Sequence, residues 1–234
     1  MSDDYKIFPI GDAAITLELG NRIDLQLNRK ALAIKEWFIT HPFEGLRDII
    51  VGYSNISILY DPLIVKSKYA ATNRAFDFVR TQLEDAYAHS QIVETKEIDK
   101  TIDIPVCYDP DFGYDLEYVS QEKKLSIKEI IDLHVSKIYY VYMIGFLPGF
   151  SYLAELNEKL VIPRKPKPVP VVAGSVGIAG SQTGVYSLDC PGGWQIIGRT
   201  PLKLFDAALD PPAMLNAGDW VRFYEISKEE FAAW

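Results

Sequence analysis

Only two cysteines and three histidines occur in 234 residues, and that scarcity excludes a good deal of chemistry. Cys107 and Cys190 lie far apart, so a disulfide framework is not expected. Histidines at 41, 89 and 134 share no ligand spacing, which speaks against a metal centre built from this chain alone. Long apolar runs are also missing: the strongest, YYVYMIGFLPGF at 139–150, is short and is broken by Gly145, Pro148 and Gly149, so it cannot cross a bilayer. The opening MSDDYKIFPIGD has neither the basic nor the apolar stretch of a secretion signal. A soluble cytoplasmic protein with no membrane partner is the expectation. Positive charge is in deficit as well, 24 lysines and arginines against 32 acidic residues, which makes free nucleic acid a poor partner.

Several catalytic signatures are absent too. No GxxxxGK[ST] loop occurs, since Gly180 is followed by Ser181 and Gln182. Neither GxGxxG, GxSxG nor an acidic calcium loop appears. What the chain does have is 48% hydrophobic residues, enough to bury a sizeable core in one large or two modest domains.

The first 95 residues read as alternating strands and helices. YKIFPIGDAAITLELG is a strand pair bent at 9–12, and AAITLEL alternates apolar and polar side chains. Between Asn21 and Thr40 a helix is expected, with Ile23, Leu27, Ala31, Ile34 and Phe38 along one face and Pro42 beyond its end. LRDIIVGYSNISILYDP gives a hairpin turning at 53–55. A second helix is expected from Lys68 to Ala88, with Tyr69, Thr72, Phe76, Val79, Leu83 and Tyr87 on its buried face. The order predicts a ββαββα sandwich, an α+β unit with helices on one side of an antiparallel sheet.

Nine acidic side chains and two lysines at 94–122 mark a composition shift, placing a domain junction around 90–100. IDIPVCYD resumes strand patterning, and SIKE at 126–129 is a capping box heading an apolar helix. Thereafter short strands alternate with Gly/Pro turns as far as AGDWVRFYEI, which predicts a closed or nearly closed barrel. The expected division is 1–95 and 96–234.

Two features of the second half invite chemistry. Residues 161–203 carry Arg164, Lys165, Lys167, Arg199 and Lys203 against Asp189 alone, a local +4 in a chain of net charge −8. Within that segment, AGSVGIAGSQTGVYSLDCPGGWQIIGRT at 173–200 holds seven glycines. Gly174, Gly177 and Gly180 recur every three residues, which suits close backbone approach in a barrel. The same loop also offers Ser175, Ser181, Gln182, Thr183 and its amides to a ligand beside the basic residues. His134 shares the apolar face of its helix with Ile127, Ile130 and Ile131, which fits both a hydrogen-bonded core histidine and an acid/base or orienting group. Arg199 has the fork geometry to grip a carboxylate, and an ideal strand would send Gln195 and Trp194 to opposite faces.

VYMIGFLPGFSYL (141–153), IPRK (162–165), AGSVGIAGSQTGVY (173–186), PGGWQIIGRTPLKLFD (191–206) and AGDWVRF (217–223) together resemble the family of 5-oxoprolinase B subunits, also called KipI-like or allophanate hydrolase subunit 1-like. IPVCYDPDFGYDLEYVS (104–120) and His134 fit the same pattern. The resemblance implies an N-terminal α+β domain and an all-β cyclophilin-like barrel. It implies work with two partners, a homologous, KipA-like C subunit and an A subunit of a different fold, opening 5-oxoproline to glutamate through a lactam phosphorylated by ATP with Mg²⁺. His134, Arg164 and Arg199 are the implied catalytic candidates; Lys165, Ser175, Gln182, Thr183, Tyr186 and Gln195 are the implied substrate or phosphate contacts. Two departures stand out: Val169 and Val171 occupy the places of family arginines, and Ser151 that of a proline. The alternatives are a KipI-like inhibitor of a sensor histidine kinase and a component of a urea carboxylase or allophanate hydrolase assembly.

Overall fold

A computed structural model describes residues 5–69, 74–90 and 101–234. The chain divides into two compact units, Met1–Lys96 and Glu97–Trp234.

In the first unit the strands are β1 (Lys6–Pro9), β2 (Ala14–Glu18), β3 (Leu46–Val51) and β4 (Asn55–Tyr60). They form one antiparallel sheet in the order β1-β2-β4-β3. Helix α1 (Leu25–Thr40) joins β2 to β3 and lays Ala31, Ile34 and Phe38 into a core shared with Ile56 and Ile58 of β4. It starts later than the apolar spacing suggested because Asp24 caps it, accepting from the amides of Gln26 at 2.9 Å and Leu27 at 3.1 Å. Ile23 therefore stands outside the helix.

The helix expected from Lys68 to Ala88 is described from Ala75 onward, and a short helix that the apolar spacing did not suggest precedes it, at Pro62–Lys68. Asp61 caps α2 (Pro62–Lys68), whose first position holds proline, where a missing N–H leaves no bond unmade. Helix α3 (Ala75–His89) follows and buries Val79, Leu83 and Ala86. Tyr69 ends α2 and stacks on Phe78 of α3 with ring centroids 3.8 Å apart, so it packs as a cap residue rather than as part of a helical stripe. Thr72 lies outside the described residues.

The second unit is built on β5 (Thr101–Val106), β6 (Ile138–Ile144), β7 (Ser151–Ala154), β8 (Val169–Val171), β9 (Ser175–Ala179), β10 (Gln182–Val185), β11 (Cys190–Gly192), β12 (Gln195–Arg199) and β13 (Trp220–Glu225). Seven of these run in the order β12-β9-β10-β7-β6-β13-β5. All neighbours are antiparallel except β13 and β5, which are parallel. The two ends of this sheet meet: Cys107 N–H donates to Arg199 O at 2.8 Å, and Arg199 N–H donates to Cys107 O at 3.0 Å. That pair nearly closes a barrel and removes the open edge that an extended sheet would leave.

The interior carries Ile104, Val106, Tyr139, Val141, Leu153, Val176, Ile178, Val185, Ile197, Val221 and Phe223. Helices α4 (Leu116–Lys123) and α5 (Ile127–Val135) add Leu116, Val119, Ile130 and Ile131 to the same core. The capping box at α5 is formed: Ser126 Oγ accepts from Glu129 N–H, and the Glu129 carboxylate accepts from Ser126 N–H. A two-stranded ribbon, β8 with β11, stands apart from the seven-stranded sheet, and α6 (Lys228–Ala232) ends the unit.

Candidate functional site

Loops at one part of this barrel enclose a cleft of about 600 Å³. Phe146 and Phe150 come from the β6–β7 connection, Tyr152 from β7, and Pro163 and Arg164 from the segment before β8. Ala179, Gly180, Ser181 and Gln182 form the β9–β10 turn, while Tyr186 follows β10 and Trp194 precedes β12.

The floor of the cleft is a second, smaller core of Phe150, Val171, Ala179, Tyr186, Trp194 and Ile196. Phe150 is its centre, meeting Tyr152, Tyr186 and Trp194 edge to face at centroid distances of 4.7, 5.1 and 5.5 Å. Two of the glycines explain how so many rings fit. Gly177 and Gly184 are direct partners across the β9–β10 ladder. A Cβ at 177 would lie 3.1 Å from Trp194 Cβ, and one at 184 would lie 3.0 Å from Trp194 Cζ3 and 2.6 Å from Ser151 O. The indole therefore lies against a patch of bare backbone. At the rim, Phe146 is 60% exposed and held in the left-handed region at φ 68°, a backbone strain of about 1 kcal/mol for a residue with a side chain.

Among the described residues Arg164 is the one cation lining the cleft, and its backbone is tethered on both sides. Pro163 O accepts from Gln195 Nε2 at 3.1 Å, and Lys165 N–H donates to Gly193 O at 2.7 Å. The Lys165 ammonium pairs with the Asp115 carboxylate, both side chains being mostly buried, and lies 5.3 Å from the centre of the Tyr114 ring. Asp115 does not cap its own helix; its carboxylate also accepts from Ile196 N–H at 2.6 Å. Arg164 itself is exposed, and among the described residues no carboxylate pairs with it. Its charge opposes the effect of burial on the Tyr152 and Tyr186 hydroxyls, yet burial prevails and raises Tyr186 to about 12. Both phenols are protonated donors at neutral pH.

The other candidates are not all gathered here. Gln182 and Tyr186 line the cleft with Arg164. The cationic rim expected from Arg164, Lys165 and Arg199 does not form. Lys165 faces Asp115, and Arg199 donates from Nε to Ala173 O at 2.9 Å with its guanidinium 6.0 Å from the Phe231 ring centre. Ser175 is buried with an unpartnered hydroxyl, and Gln195 is buried behind Pro163. His134 is fully buried in the barrel core. Tyr108 Oη and Thr183 Oγ1 lie 2.8 and 2.9 Å from its two ring nitrogens. Since Thr183 donates to Gly177 O at 3.1 Å, it accepts from Nε2–H, which leaves Nδ1 to accept from Tyr108. Burial lowers the imidazole pKa to about 3, so it is neutral.

Sequence reasoning passed over Phe146, Phe150, Tyr152 and Asp115. The available signal was the GFLPGFSY stretch, an aromatic run interrupted by turn residues and too short for a membrane. Among the described residues no cluster of His, Cys, Asp or Glu is suited to a metal, and no helix is long and apolar enough to cross a membrane.

Residues 5–215 match the family model described as "Carboxyltransferase domain, subdomain C and D". The chain is 40% identical to the 5-oxoprolinase B subunit of Bacillus subtilis (strain 168), covering all of this chain and 98% of that one. It is 39% identical to the 5-oxoprolinase B subunit of Escherichia coli O157:H7, over 93% of this chain and 94% of that one. The crystal structure of TTHA0988 aligns with a TM-score of 0.77 at 34% identity, over 92% of this chain and 40% of a longer one. By sequence along nearly its whole length, this chain belongs to the carboxyltransferase subdomain C and D family, within its group of 5-oxoprolinase B subunits.

Proposed function

We propose that this chain is the B component of an ATP-dependent 5-oxoprolinase, a hydrolase of a cyclic amide that opens 5-oxoproline to glutamate. The observation that carries the reading is the end-to-end identity of 40% to a 5-oxoprolinase B subunit, without a large insertion or missing segment. The chain works with the A and C components and is inactive alone. Its working division is 1–95 and 96–234, the second part being a cyclophilin-like barrel.

The chemistry explains the need for several components. A lactam carbonyl is a poor electrophile because its nitrogen donates into it, and phosphorylation of the carbonyl oxygen removes that protection before water attacks. Such a reaction needs one region that holds the acid and another that holds polyphosphate with its Mg²⁺. Arg164, Gln182 and Tyr186 are the cleft's ligand contacts. His134, Thr183 and Gln195 act behind them: the first two fix the β9–β10 ladder from within the barrel, and Gln195 holds Pro163.

The test is reconstitution. This chain, purified with its cognate partners, is expected to support ATP-dependent release of glutamate from 5-oxoproline, with no release when it is left out. Full turnover without it would eliminate the reading.

A further inference from the structure

We infer that the cleft is the subsite for a small, flat, cyclic monocarboxylate, and that the nucleotide's phosphates are held outside it. The inference rests on the 5-oxoprolinase reading and assigns a part of that reaction to this chain's own residues.

The cleft's charge is the first argument. Its lining presents one guanidinium, Arg164, and no carboxylate among the described residues. One guanidinium matches one carboxylate, with two parallel N–H···O bonds. A triphosphate carries several negative charges and needs several cations or free amides around it. None of the neighbouring cations lines the cleft: Lys165 pairs with Asp115 and Lys203 with Asp206, Arg199 spends its Nε on Ala173 O, and Lys167 is exposed outside the lining.

The glycine-rich amides are engaged as well. Gly180 N–H donates to Ile162 O at 2.7 Å and Gly174 N–H to Tyr186 O at 2.7 Å, while Ser175 N–H donates to Val172 O at 3.2 Å. Thr183 Oγ1 is closed off between His134 and Gly177 O. The amides of Gly174, Ser175 and Gly180 are thus spent within the barrel and its turns. The sequence-based assignment of Lys165, Ser175 and Thr183 as phosphate contacts therefore does not fit this geometry.

What remains suits a lactam acid. Phe150, Tyr152 and Trp194 offer ring faces and edges to a small ring. The Gln182 amide carries a donor and an acceptor, the complement of a lactam's C=O and N–H edge. Arg164 then takes the carboxylate.

Calorimetric titration of the full-length chain tests this with four probes: 5-oxoproline, 2-pyrrolidinone, cyclopentanecarboxylic acid and Mg·ATP. 5-Oxoproline is expected to bind, 2-pyrrolidinone at least tenfold more weakly for want of a carboxylate, and cyclopentanecarboxylic acid more weakly for want of the amide edge. Arg164→Ala is expected to weaken 5-oxoproline at least tenfold, and Arg164→Lys to weaken it by less. Mg·ATP is expected not to displace 5-oxoproline. Because Arg164 is exposed, both variants are expected to melt with the parent chain, and melting curves check this. No binding of 5-oxoproline at millimolar concentration, unchanged binding in Arg164→Ala, or displacement by Mg·ATP would each overturn the assignment. Reconstituted glutamate release that survives such a result would leave the 5-oxoprolinase reading standing and remove only the subsite. Arg164-dependent binding without glutamate release would do the reverse.

Discussion

The Lys165 ammonium and the Asp115 carboxylate form an ion pair that is 14% and 15% exposed, one residue along the chain from Arg164 in the cleft. Burying two charges gains little net stability, because desolvation opposes their attraction, but removing one partner leaves the other stranded. Asp115→Asn is therefore expected to lower unfolding free energy by about 3 kcal/mol, read from the urea midpoint. The asparagine carbonyl can still accept from Ile196 N–H, so the barrel should persist. Adding Lys165→Met removes the stranded cation and should recover most of the loss. In reconstituted enzyme both variants are expected to raise KM for 5-oxoproline more than they lower kcat, since the segment carrying Arg164 loses the side-chain anchor at Lys165. A midpoint change with KM untouched would reduce the pair to a structural feature.

Two glycines that look alike in sequence should respond differently to alanine. At Gly184 an added Cβ would stand 2.6 Å from Ser151 O and 3.0 Å from the Trp194 ring, contacts that cannot relax without moving backbone. Gly184→Ala is expected to destabilise by about 3 kcal/mol through overpacking and to alter Trp194 fluorescence. At Gly180 nothing lies within 4 Å, but φ is +56°, so Gly180→Ala costs about 1 kcal/mol of backbone strain alone. Equal losses in the two variants would contradict the packing of Trp194 against the β9–β10 ladder.

His134 sets an acid limb on stability. Its native pKa is near 3, whereas an unfolded histidine titrates near 6.5, so below about pH 6.5 the unfolded chain takes up a proton that the folded chain refuses. Stability is whole above that pH and falls by about 1.4 kcal/mol for each unit below it, down toward pH 3. Asp24, Asp61, Asp103 and Asp206, held low by hydrogen bonds and neighbouring cations, add losses of the same sign only below the ordinary carboxylate range. Urea denaturation between pH 5 and 6.5 isolates the histidine. A flat profile there, or an imidazole resonance that titrates near 6.5, would place His134 in water.

Arg164 and Arg199 should separate cleanly. Arg164 makes no ion pair among the described residues and faces the cleft, so Arg164→Ala is expected to lower kcat/KM for 5-oxoproline at least tenfold with an unchanged melting temperature. Arg199→Ala removes the hydrogen bond to Ala173 O beside the barrel's closing pair, and its main effect is expected on the melting temperature, at a loss of about 1 kcal/mol. The opposite pattern would exchange their roles.

Local patterns carried the elements. Alternation in AAITLEL, the spacing of Ala31, Ile34 and Phe38, and the SIKE cap each depend on neighbours within a few residues, and each is present in the structure. The unexpected helix α2 had a local signal too, an Asp-Pro start at residues 61–62 that apolar spacing does not register. Recurrent glycines and short strands pointed to a barrel, and motif resemblance pointed to the family.

What the chain's order of residues determined by itself was therefore many of the strands and the longer helices, the barrel class and the kinship. Tertiary structure alone decided which polar groups are available to a ligand. Lys165, Arg199 and the glycine-rich amides looked free in sequence, but their partners Asp115, Ala173 and Ile162 are brought to them by folding. A hydrogen bond or ion pair between residues far apart in the chain leaves no local signature, so only the closed barrel shows that Arg164 is the cation left to face the cleft.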